Sequence, residues 1–197
     1  GRLDRDIRAR SDGNADIRIR QRGSVVDAVA HEGDFASPCP QVIERCDLSV
    51  RQHTGDHFSI NVAAYPEIHP KAESYSQDIY WLGEKFKAGA DRAITQYFYN
   101  ADAYFKFIDE CAKAGIGEPI VPGIMPLTNF QNLLRFSENC GAEIPRWLQW
   151  QLKERKDNQE DLVSYGIEIV SHLCETLLAG GAPGLHFYTM NQWQISD

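Results

Sequence analysis

No two of the five cysteines (Cys39, Cys46, Cys111, Cys140, Cys174) stand in CxxC spacing, and their number is odd. Such spacing offers no thiolate cradle for zinc, and a scattered odd set reads as reduced thiols in a cytoplasmic protein without a metal. No apolar run approaches the roughly 18 residues of a membrane span, and no hydrophobic signal-peptide centre stands near the start, so no membrane association is expected. Basic residues are in deficit as well: 20 Lys and Arg against 28 Asp and Glu leave a net charge of -8 and a pI near 5.2. A phosphate backbone needs the opposite sign, which argues against nucleic acid as a partner. Large apolar groups are scarce in the first 22 residues, GRLDRDIRARSDGNADIRIRQR. A stretch that alternates arginine and aspartate buries little surface, so it reads as poorly ordered or locally helical.

What remains is enough for one globular domain: 197 residues, 43% of them hydrophobic. Residues 1–55 stay unassigned, because their short apolar pieces (SVVDAVA, QVIERCDLSV) neither repeat nor build a site. From residue 56 a rhythm sets in. FSINVAAY ends at a proline and reads as a buried strand, and SYSQDIYWLGEKFKAGA follows as a helix that stops at Gly89. RAITQYFY reads as a strand, ADAYFKFIDECAKAGIG as a helix, and PIVPGIMP as a strand. A helix through NFQNLLRFSENCG, a long amphipathic helix over DLVSYGIEIVSHLCETLLAGGA and a last strand at LHFYTMN complete the series. Strand and helix in steps of roughly 30 residues predict βαβ units with parallel strands. The α/β class follows, as about four βα units, the C-terminal half of a parallel (β/α)8 TIM barrel over residues 56–197. Ligands of such folds sit at the carboxyl ends of the strands. The stretch AAYPEIHPKAESYSQD, with its aromatic, histidine and carboxylates between two prolines, stands at such an end.

AAYPEIHP, RAITQYFYNADAYFKFIDECAKAGI, PIVPGIMPLTNFQ and GLHFYTMNQ, in that order and spacing, resemble the bacterial methylenetetrahydrofolate reductases. The resemblance runs over residues 58 to 192 and leaves residues 1 to about 50 unmatched. It implies an eight-stranded βα barrel holding FAD noncovalently, with NADH or NADPH as co-substrate and a folate as substrate. Methylenetetrahydrofolate would be reduced to methyltetrahydrofolate through the flavin. The expected general acid belongs to a first strand that nothing here matches. Tyr65 and His69 align with flavin-contacting residues. Asp78 and Lys85, seven apart on one helical face, align with positions that meet the adenosine and diphosphate. Gln96 aligns with the pterin-binding residue, its amide offering a donor and an acceptor side by side. Asn132 falls at a substrate-contacting position, and Gln192 replaces an arginine near the folate tail. Tyr188 reads as core packing. A homo-oligomer is compatible with the resemblance. The competing reading is a non-catalytic, truncated remnant that at most binds ligand or a partner chain.

Overall fold

The computed structural model describes residues 59–189, together with the backbone of three strands at 7–9, 17–22 and 25–30. The strands are β1 (Ile7–Ala9), β2 (Ile17–Arg22), β3 (Val25–Ala30), β4 (Ser59–Ala64), β5 (Arg92–Tyr97), β6 (Ile120–Ile124) and β7 (His186–Phe187). The helices are α1 (Tyr75–Lys87), α2 (Ala101–Lys113), α3 (Phe130–Cys140), α4 (Arg146–Arg155) and α5 (Gln159–Ala179). All seven strands lie in one sheet in chain order: β1, β2 and β3 pair antiparallel, and every pairing from β3 to β7 is parallel. The parallel α/β class is therefore present, as part of a barrel.

Two expectations change. Where the charge alternation of residues 1–22 reads as poorly ordered or locally helical, the chain forms β1 and β2. The reason lies in the alternation itself: Ile17, Arg18, Ile19, Arg20 has the period of two that a strand uses. The claim that no run approaches a membrane span also fails for α5, whose 21 residues are long and apolar enough by composition. That helix packs on β6, α2 and α4, and it buries Leu162, Val170, Leu173 and Leu177. Its apolar stripe is core.

Polar caps start four helices. Ser74, Asn100, Asn129 and Asn158 each accept, through a side-chain oxygen, a backbone N–H of the first turn. The core joins Ile79, Leu82 and Phe86 of α1 and Tyr104, Phe107 and Cys111 of α2 to Ile60, Ala93, Ile120 and Ile124 of the sheet. Asp91 pins β5 beside β4. Its carboxylate accepts from Ile60 N at 2.6 Å, and its own N–H donates to the Ile60 carbonyl at 2.9 Å.

One helix departs from the βαβ pattern. A crossover helix should lie behind the sheet, but α3 runs past the carboxyl end of β5 toward the loop after β4. Ser137 meets the Tyr97 hydroxyl at 3.0 Å, the Cys140 Sγ lies 3.5 Å from it, and Gly141 abuts Pro70. The return to the sheet is left to α5. Hence the step from β6 to β7 is much longer than the others, and α3 forms one wall of the mouth.

Candidate functional site

The site grows from the segment Tyr65 to Pro70, directly after β4. Its rings pack edge to face, Tyr65 on His69, with centroids 4.6 Å apart at 87°. The Asp78 carboxylate, in the first turn of α1, accepts from His69 N–H at 2.9 Å and holds the loop against the helix. His69 Nδ1 accepts from Lys71 N–H at 3.1 Å, so the neutral ring carries its proton on Nε2. Burial lowers the His69 pKa; Asp78 opposes that shift, and Lys85 and Lys71 add to it. The imidazole is therefore neutral and a donor at pH 7. Two turns along α1, Lys85 Nζ donates to the Ala63 carbonyl at 2.9 Å. The structure thus brings Tyr65, His69, Asp78 and Lys85 together at one strand end.

Tyr65 adjoins a cluster of phenols in which the Tyr97 ring packs 6.0 Å from Tyr99 and 6.4 Å from Tyr188. Burial pushes the Tyr65 hydroxyl up to about 12, with the charges of Asp78 and Cys140 adding to it. Tyr188 is likewise pushed to about 12, and Tyr97 and Tyr99 are raised, burial leading in each. These hydroxyls stay neutral in physiological buffer. On the β4 face that Tyr65 continues, Ser59 Oγ and Asn61 Oδ1 are buried without a hydrogen-bond partner. Both lie toward the amino end of β4, away from the cluster at its carboxyl end, so they are not part of that cluster. At the carboxyl end, the His69 Nε2–H and the Lys85 ammonium are donors of the kind that the hydroxyls and phosphates of a dinucleotide such as FAD would need.

Gln96 sits half-buried near the end of β5, its Oε1 accepting from Tyr97 N–H at 3.0 Å. Asn132 is exposed in the first turn of α3, where its backbone N–H is capped by Asn129 at 2.9 Å. Gln192 lies outside the described residues. Sequence reasoning gave no role to Glu67, whose Oε2 accepts from Glu143 N–H at 2.7 Å and straps the loop to the segment after α3. A carboxylate between two prolines was the available signal.

Glu67 gives a pH test. Burial raises its pKa, the Glu143 N–H opposes, and the Glu143 charge adds to the rise. The folded state then holds this proton more tightly than the unfolded state. The stability it contributes is complete below the ordinary glutamate range and is lost as pH rises through the raised value. Glu67→Gln keeps an acceptor and removes the charge, so the variant should lack this slope and be at least as stable at neutral pH. Thermal midpoints of both proteins between about pH 4 and pH 7 decide it; parallel curves would rule out a titrating Glu67.

Residues 31–196 match the family described as methylenetetrahydrofolate reductase, and the chain belongs to that family. The match begins at residue 31, so residues 31 to about 50, where no resemblance was expected, are family sequence as well. The probable methylenetetrahydrofolate reductase (NADH) of Oryza sativa subsp. japonica is 43% identical over 159 residues, covering 74% of this chain and 27% of that protein. The 5,10-methylenetetrahydrofolate reductase of Escherichia coli (strain K12) is 39% identical over 170 residues, covering 85% of this chain and 57% of that one. The chain thus spans about a quarter of the plant relatives' length and somewhat over half of the bacterial one's. Among solved structures, an uncharacterized protein from Clostridium thermocellum, described as binding two copies of 5-methyl-5,6,7,8-tetrahydrofolic acid, shares the fold. Its TM-score is 0.54 at 19% identity, over 80% of this chain and 65% of its own.

Proposed function

We propose that the protein this chain represents reduces methylenetetrahydrofolate to methyltetrahydrofolate with NADH or NADPH through bound FAD, in the cytoplasm. The observation that carries this reading is the family match over residues 31–196. The barrel is the proposed whole architecture, with residues 56–197 as its C-terminal part.

FAD, when bound, supplies the two-electron transfer between nicotinamide and folate. This chain's residues do the holding. Tyr65 and His69 present an aromatic edge and an Nε2–H donor to the flavin and its ribityl chain. Lys85 places a cation for the diphosphate, and Asp78 both fixes the loop and offers a carboxylate to ribose hydroxyls. Gln96 presents its amide to the pterin edge, with Asn132 and Gln192 as further folate contacts. The phenols and α3 keep water from the mouth. The general acid is not among the residues matched here, so proton delivery to the folate rests with a group elsewhere in the protein.

The test is the visible absorption spectrum of the purified chain after FAD is added and the excess removed. A retained flavin band is expected. A folded but colourless product would favour the second reading, a non-catalytic chain that at most binds ligand or a partner chain.

A further inference from the structure

The β5–β6 ladder carries an irregularity beside Gln96. Ile94 pairs with Val121 and Tyr97 with Gly123, so three steps along β5 answer two along β6. One extra residue is housed at Thr95–Gln96. The opposing Pro122 explains it, since proline has no N–H to give to the ladder. Gly123 N–H turns instead to the Thr95 hydroxyl, at 2.8 Å. The Thr95 carbonyl accepts from the Tyr188 hydroxyl, also at 2.8 Å. Tyr188 reaches it by crossing β6 over Gly123: a Cβ there would stand 2.6 Å from the Tyr188 ring and 2.2 Å from the Thr95 carbonyl oxygen. Thr95 is fully buried. On its carboxyl side, Tyr97 N–H closes on the Gln96 side-chain oxygen, which leaves the Gln96 amide nitrogen as the end turned away from the backbone.

We propose that Thr95, clamped between Gly123 N–H and the Tyr188 hydroxyl, is a positioning residue that aims the Gln96 amide at the folate pterin. Bulges recur beside active sites because they re-aim one side chain while the sheet continues. Here both polar groups of Thr95 face inward to β6 and β7, and the next residue carries the recognition amide. The Tyr188 hydroxyl, with its pKa pushed to about 12, remains a donor across the working pH range. This assignment rests on the reading of Gln96 as a folate contact.

The experiment titrates the protein with 5-methyltetrahydrofolate and measures flavin content for Gln96→Ala, Thr95→Val, Thr95→Ser and Tyr188→Phe. Thr95→Val keeps the shape and removes the hydroxyl, while Thr95→Ser restores it. Gln96→Ala, Thr95→Val and Tyr188→Phe should each weaken folate binding about tenfold or more, and Thr95→Ser should stay within about twofold, all with flavin retained. If Gln96→Ala binds as wild type, the underlying reading fails. If Gln96→Ala weakens binding while Thr95→Val and Tyr188→Phe do not, the positioning role fails alone. Should Thr95→Val not fold, Tyr188→Phe decides: wild-type affinity overturns the proposal. Equal loss of flavin and folate overturns it too, because that marks general collapse of the sheet.

Discussion

Replacing Gly141 by alanine should strip flavin from the protein and lower its melting temperature together. Gly141 ends α3 in the left-handed region, at φ 73° and ψ 13°, with its N–H donating to the Ser137 carbonyl at 2.9 Å. An L side chain there costs about 1–2 kcal/mol. The larger cost is contact, because the new Cβ would lie 2.4 Å from Cγ of Pro70 and 3.1 Å from its Cδ. A proline ring cannot swing aside. Relief must come from moving the backbone of Pro70, and with it His69. The sum, roughly 2–4 kcal/mol, corresponds to a fall on the order of 5–15 °C for a chain of this size. Calorimetry and flavin content measured side by side check it. Pairing Gly141→Ala with Pro70→Gly should recover the part due to contact and leave the part due to φ. An unchanged melting point and full flavin in Gly141→Ala would show that α3 does not set the loop.

The second large effect belongs to Gln96. On the proposed reading, Gln96→Ala removes the half-buried amide that meets the pterin and leaves the pterin's own groups unsatisfied. Folate use should fall about 10- to 100-fold, counted as affinity or as turnover at low substrate. Flavin retention should change little, since the residues proposed to hold it stand elsewhere: Tyr65 and His69 in the loop after β4, Asp78 and Lys85 on α1. Gln96→Glu should fare no better, because an ionised carboxylate accepts only. Parallel loss of flavin and folate would place Gln96 in the scaffold.

Much of this was readable from the chain. Helix periodicity located α1 and α2, their terminal glycines Gly89 and Gly115 do adopt positive φ, and spacing of seven predicted that Asp78 and Lys85 share a face. The strand ends at Tyr65 and Gln96 were legible from the change in residue type after apolar runs. The course of α3 was not, because any helix after a strand reads as a crossover. Its path is set by contacts across 40 residues, Tyr97 to Ser137, and 76 residues, Glu67 to Glu143. Local pattern carries no trace of such pairs. The bulge at Thr95 did leave a signal, a proline inside a central strand, but its meaning depends on which strand lies opposite. Charge hid β1 and β2 by masking a period of two, whereas β3 stood as an isolated apolar piece with no repeat beside it.

The strap from Glu67 to Glu143 has a consequence for the order of assembly. Strands β4, β5 and β6 pair with their sequence neighbours, so each addition closes a short segment. The strap must close 76 residues at once, an entropy cost of roughly 4 kcal/mol if nothing between them is formed. It therefore closes after the sheet, when α1 and α2 have already shortened that loop. What forms last also opens at least expense. The strap is therefore expected to open before the sheet does, a local opening that hydrogen exchange of the Glu143 N–H would report.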